Sequence, residues 1–205
     1  MINYLFYYWG PLLFHTQIKP KELATIKKLC KKDLSKSHVK NLAGDIKDEY
    51  LIDKNKLNNI LIPYIDAFKK AHQHWYNKPV PDLKVVTAWV NYMKPGDYNP
   101  SHTHDNCNFS GVLYIDIPKQ LQQEIKEYKG TTKGPGAITF MYGEENGQAI
   151  TTKESVPVNG DFFMFPHNFA PSANIFLMYK TSLCGAAVNT SYHSLSLFQN
   201  LESGI

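Results

Sequence analysis

Between Asn99 and Asn108 the chain reads Asn-Pro-Ser-His-Thr-His-Asp-Asn-Cys-Asn, the densest collection of chemically capable side chains it contains. His102 and His104 are two residues apart, the spacing at which side chains of an extended segment point to the same side. Asp105 places a carboxylate beside them, and an apolar run that reads as a buried strand, Phe109–Ile117, follows directly. Two imidazoles with a nearby carboxylate at a strand edge are a common beginning for a non-haem iron site. The bland alternative is an exposed polar loop that happens to contain histidines.

Residues further along extend this reading. His167 follows Phe165-Pro166, at the end of an apolar run that starts from the turn Asn159-Gly160-Asp161. Lys180 and Ser182 come next, a cation and a hydroxyl able to hold the distal carboxylate of a dicarboxylic co-substrate. Lysine is the only cation on offer, because all 22 basic residues are lysines. Any carboxylate is therefore held by a point charge without the bidentate fork of arginine. Tyr92 and Tyr114 combine an apolar body with a polar tip, and with Asn91 they are candidates for the same pocket. His72 and His74 are two apart on a helical stretch and so face different directions. Cys107 reads as a small buried residue at a strand start.

The elements that must position these groups fall into two halves. Pro20 opens a helix to about Lys32, and Lys56–His74 forms a second, with Pro63 marking a break or kink. Ser35–Leu51 is polar and irregular. From Lys84 the period changes to that of strands, at 84–92, 109–117, 136–142, 161–165 and about 175–188. Lys119–Lys129 reads as a helical or extended insertion, and Leu5–Ile18 as one or two short strands about Gly10-Pro11. The expected fold is α+β, mainly β: a double-stranded β-helix, or jelly roll, buttressed by N-terminal helices. We expect a single domain over 1–205, with helical support at about 19–77 and the jelly-roll core at about 84–190.

Composition narrows the function. A chain of 205 residues with a net charge of +4 is an ordinary globular size with a mild charge. The early lysines, Lys27 to Lys40, are spaced as a solvated helix face, so no nucleic-acid partner is expected. No stretch reads as a membrane span or signal peptide. Three widely spaced cysteines suggest neither a disulfide framework nor a zinc ribbon. A cytoplasmic location is the expectation.

Trp89 to His104, Phe109 to Pro118, Gly134 to Gly143 and Gly160 to Pro166 together resemble the iron(II)/2-oxoglutarate-dependent oxygenases. Specifically, they resemble the small prolyl-4-hydroxylase-like proteins of tailed bacteriophages, which would place the chain in host cytoplasm. The resemblance implies a jelly roll that binds Fe(II) and 2-oxoglutarate, with ascorbate as a supporting reductant. It implies a dioxygenase that hydroxylates a carbon of a peptidyl or protein substrate, proline foremost, while 2-oxoglutarate becomes succinate. The ligands it implies are His102, His104 and His167, with Asp105 as the alternative carboxylate. Lys180, Ser182, Tyr92, Tyr114 and Asn91 would hold 2-oxoglutarate, and no catalytic residue is implied beyond the metal site. The chain departs from the family pattern at His104, where an aspartate is usual, at Pro171, where the distal histidine usually falls, and at Lys180, where many relatives carry arginine. Two other readings follow from those departures: a degenerate jelly-roll binding module, and a cupin-like metalloenzyme that is not an oxygenase.

Overall fold

The computed structural model describes residues 10–33, 36–38, 46–104, 106–143, 151–168, 170–173 and 183–192, the last two stretches by backbone alone. Strand β1 (Phe14–Gln17) leads into helix α1 (Pro20–Leu29), whose start is favoured by a proline in its first turn. Strand β2 (Glu49–Leu51) precedes helix α2 (Lys54–Tyr76), which begins where the Asp53 carboxylate accepts from the backbone N–H of Asn55 and Lys56. The remaining elements are β3 (Leu83–Met93), β4 (Phe109–Asp116), α3 (Lys119–Glu127), β5 (Ile138–Met141), β6 (Thr152–Ser155), β7 (Asp161–Pro166), β8 (Ala170–Ala173) and β9 (Leu183–Tyr192).

The strands form two antiparallel sheets. The larger has the order β1-β7-β4-β9-β3-β2 and the smaller β6-β5-β8. Because side chains alternate along a strand, the large sheet has two apolar faces. One packs against the helices: Ala88, Val90, Leu113, Phe162 and Met164 meet Ile26, Leu57, Leu61, Ile65 and Phe68. The other packs against the small sheet and α3: Met93, Val112, Tyr114, Phe163 and Phe165 meet Ile138, Phe140 and Leu121.

Several expectations need correction. Helix α2 is continuous through Pro63. That residue lies on the exposed side of the helix, where a missing backbone hydrogen bond is tolerated most easily. The segment read as irregular up to Leu51 contains β2, and β6 and β8 were not expected at all. The last expected strand, about 175–188, is β9 at Leu183–Tyr192, with 174–182 outside the described residues. No helix among the described residues is long and apolar enough to cross a membrane.

Candidate functional site

The histidine segment is tied to the end of β7 by its backbone. Phe109 pairs with Pro166 at the end of the β4–β7 ladder. Beyond it, the His167 N–H donates to the carbonyl of Asn108 (3.2 Å) and the His104 N–H to the carbonyl of His167 (3.1 Å). Two histidines 63 positions apart thus come together as an extension of one antiparallel ladder.

Each imidazole then has a distinct setting. His104 is buried at 8% exposure. Its ring centroid lies 4.8 Å from that of His102, 6.2 Å from Trp89 and 6.3 Å from Phe165. His102 is half-buried, and its Nδ1 lies 2.8 Å from the carbonyl oxygen of Pro100. His167 is exposed, and its Nδ1 lies 3.2 Å from the carbonyl oxygen of His104. A carbonyl only accepts, so both contacts require a proton on Nδ1 and leave the lone pair on Nε2. An imidazole anchored in this way has the tautomer that metal ligation through Nε2 needs.

Among the described residues, no three of the His, Cys, Asp and Glu side chains form a group able to hold a metal ion. His102 and His104 are neighbours, and His167 is joined to His104, but the three do not converge on one point. Asp105, Lys180 and Ser182 lie outside the described residues. The imidazole donors suit iron(II) by type.

The expected pocket residues divide by strand face. Trp89, Asn91 and Met93 share one side of β3, the side that meets the small sheet through Met93. Tyr92 is on the other side, where its hydroxyl donates to the carbonyl of Cys30 (2.9 Å) and its ring packs near Tyr50. That places Tyr92 against the helical layer, away from Asn91. Tyr114 is on the small-sheet face and 4% exposed. Burial, and secondarily the charge of Asp161, raises its phenol far above the ordinary range. Asn91 keeps Oδ1 buried with no hydrogen-bond partner among the described residues. Cys107 has its Sγ 3.5 Å from the Ser110 hydroxyl, in the turn before β4.

Sequence reasoning missed two residues on this face. Glu49 of β2 stands in register opposite Asn91 and is 1% exposed, and Trp89 is 4% exposed. Burial first, and the nearby charge of Asp97 second, push the Glu49 carboxyl up to about 7. Only the pairing of β2 with β3 brings Glu49 here, and three residues in a polar stretch carry little signal of a strand.

Comparison with known proteins gives a family likeness over this segment. Residues 87–177 match the family model described as "Putative 2OG-Fe(II) oxygenase", a span that contains all three histidines. Iron(II) and 2-oxoglutarate are the cofactors of that family. No curated protein matches by sequence. A prolyl-4-hydroxylase from Pseudomonas putida superposes with a TM-score of 0.56 at 13% identity, over 88% of this chain and 93% of its own. The viral collagen prolyl hydroxylase of Paramecium bursaria Chlorella virus-1, solved as its 2-oxoglutarate complex, gives 0.55 at 10%, over 90% and 98%. HygX from Streptomyces hygroscopicus, solved with nickel and 2-oxoglutarate bound, gives 0.52 at 8%, over 89% and 83%. These likenesses are of fold. The chain is therefore similar to the 2OG-Fe(II) oxygenases through its histidine-bearing segment, and to prolyl-4-hydroxylase-like members of that group in overall fold.

Proposed function

We propose that this chain is an Fe(II)- and 2-oxoglutarate-dependent dioxygenase that hydroxylates a carbon of a peptidyl or protein substrate, proline foremost. On this reading, residues 1–205 are one domain and the two facing sheets are the halves of a jelly roll. The observation that carries it is the paired Nδ1 anchoring. His102 on the Pro100 carbonyl and His167 on the His104 carbonyl both keep Nε2 available, within a segment that matches the oxygenase family. His102, His104 and His167 would hold the metal only once their rings are drawn to a common point, with Asp105 as the alternative carboxylate. Iron(II), when bound, supplies activation of dioxygen coupled to decarboxylation of 2-oxoglutarate to succinate.

The protein's own residues supply orientation and dryness. Phe140, Phe163 and Phe165 are buried on the small-sheet face and exclude water beside His104. A dry setting strengthens any charge interaction made there. Lys180 would clamp the distal carboxylate of 2-oxoglutarate, helped by the Ser182 hydroxyl. Asn91 and Tyr114 would add hydrogen bonds, whereas Tyr92 is engaged elsewhere.

The test is production of succinate from 2-oxoglutarate in air with added iron(II). His102→Ala should abolish it along with iron binding. Lys180→Ala should keep iron but raise the 2-oxoglutarate concentration for half-maximal rate by about 10- to 100-fold, the loss of a charge-assisted hydrogen bond. An unchanged co-substrate dependence in Lys180→Ala would show that the clamp is misassigned.

A further inference from the structure

The small-sheet face of β2 and β3 carries buried polar atoms that the fold itself leaves unmatched. Glu49 Oε2 and Trp89 Nε1 are both buried, and neither has a hydrogen-bond partner among the described residues. The residues themselves are 1% and 4% exposed. They are diagonal neighbours across the β2–β3 pair, since Glu49 is opposite Asn91 and Leu51 opposite Trp89. At that separation one small group can reach both side chains. An unmatched buried donor or acceptor is destabilising, and here two such atoms occupy adjacent positions.

Their surroundings connect them to the histidines. The Trp89 ring lies 6.2 Å from that of His104 and 5.6 Å from that of His38. The His38 N–H donates to the Glu49 carbonyl (2.9 Å), so the same short segment borders both residues. From the geometry we infer that Glu49 and Trp89 form a substrate subsite beside the metal centre, taking an uncharged carboxamide or peptide amide.

The chemistry of the two atoms selects that class. An indole N–H only donates, so the ligand must present an acceptor to Trp89. Above about pH 7 the Glu49 carboxyl is ionised and only accepts, so the ligand must there present an N–H to it. An amide edge carries both groups on adjacent atoms. An ammonium would satisfy Glu49 but leave the indole donor unmatched, and a carboxylate would be repelled by the ionised Glu49. The role of this face as substrate subsite rests on the oxygenase reading above; its affinity for an amide does not.

The experiment follows indole N–H resonances of the full chain in ¹H–¹⁵N spectra without metal. The chain has three tryptophans, and Trp89→Phe assigns the relevant peak. Titration with N-acetylprolinamide should move the Trp89 signal downfield in a saturable way. Glu49→Gln, which keeps an acceptor and adds a donor, should bind within about threefold of the parent chain. Glu49→Leu should weaken binding by about tenfold, the loss of one hydrogen bond. The proline dimethylamide analogue, which lacks the amide N–H, should be weakened similarly. An unmoved Trp89 signal, equal binding in Glu49→Leu, or a shift produced by butylamine in place of the amide would overturn the assignment. Iron and 2-oxoglutarate binding is measured separately, so failure of the subsite and failure of the oxygenase reading are told apart.

Discussion

At the scale of single residues, the histidines and Glu49 represent opposite degrees of legibility. His102 and His104 are visible in the sequence because period two is the property of an extended chain, and proximity in space follows from proximity in sequence. His167 is visible only through the fold's expected return. The anchoring of its Nδ1 on the His104 carbonyl cannot be read at all without the β4–β7 register. Glu49 is wholly tertiary: nothing in a polar stretch marks a carboxyl that will be 1% exposed.

That burial has a consequence for stability. The Glu49 carboxyl is raised from 4.5 to about 7 in the folded chain, so the fold binds its proton more tightly than the unfolded chain does. Its contribution is therefore fully present below pH 4.5 and is lost as pH rises through about 7. Glu49→Gln should abolish this dependence and leave the protein roughly 1–3 kcal/mol more stable than the parent at pH 8, with little difference at pH 4.5. Urea unfolding of both chains at the two pH values checks it; parallel curves would mean that Glu49 keeps an ordinary carboxyl.

Among the elements, those with strong apolar alternation between turn signals were readable: β3, β4 and β7 fall where the pattern places them. The short strands β2, β6 and β8 were not. Each is only three or four residues, and β6 reads Thr-Lys-Glu-Ser, so its extended form depends on pairing with β5. Strand β8 includes Pro171, opposite Phe140 in register. The position that departs from the family's histidine therefore falls in a strand of the small sheet. Helix α3 was left open between helix and extended chain. Leu121, fully buried against the turn before β5, explains why the helix is held.

That turn provides an element-scale prediction. Gly136 has φ +71°, and a Cβ there would lie 2.7 Å from a Leu121 methyl. Gly136→Ala combines left-handed backbone strain with overpacking of α3 on β5. We expect a loss of about 1–3 kcal/mol by denaturant unfolding. A change within 0.5 kcal/mol, as at ordinary surface sites, would show that the turn relaxes without resistance.

Taken whole, the molecule is one large sheet with an apolar layer on each face, and the candidate site belongs to the small-sheet side. Phe165 is fully buried there and contacts both Phe140 of the small sheet and the His104 ring. Phe165→Ala should cost about 3–5 kcal/mol and weaken iron binding at the same time, since the ring that steadies His104 is removed. Calorimetry with an iron titration on the same variant reads both effects. Full destabilisation with iron affinity unchanged would separate the core from the site. The division into helices followed by strands, and the same-side spacing of His102 and His104, were legible because both are patterns of local period. The face assignments of Tyr92, Trp89 and Glu49 were not, because they depend on which strands pair.

The central claim is that this chain holds iron(II) and 2-oxoglutarate together through its histidines. The most direct measurement is an anaerobic iron(II) titration with and without 2-oxoglutarate, followed by visible absorption. The expected result is a saturable metal-to-ligand charge-transfer band that needs both components and is absent in His102→Ala. Iron binding with no such band, or no binding of either component, would contradict it.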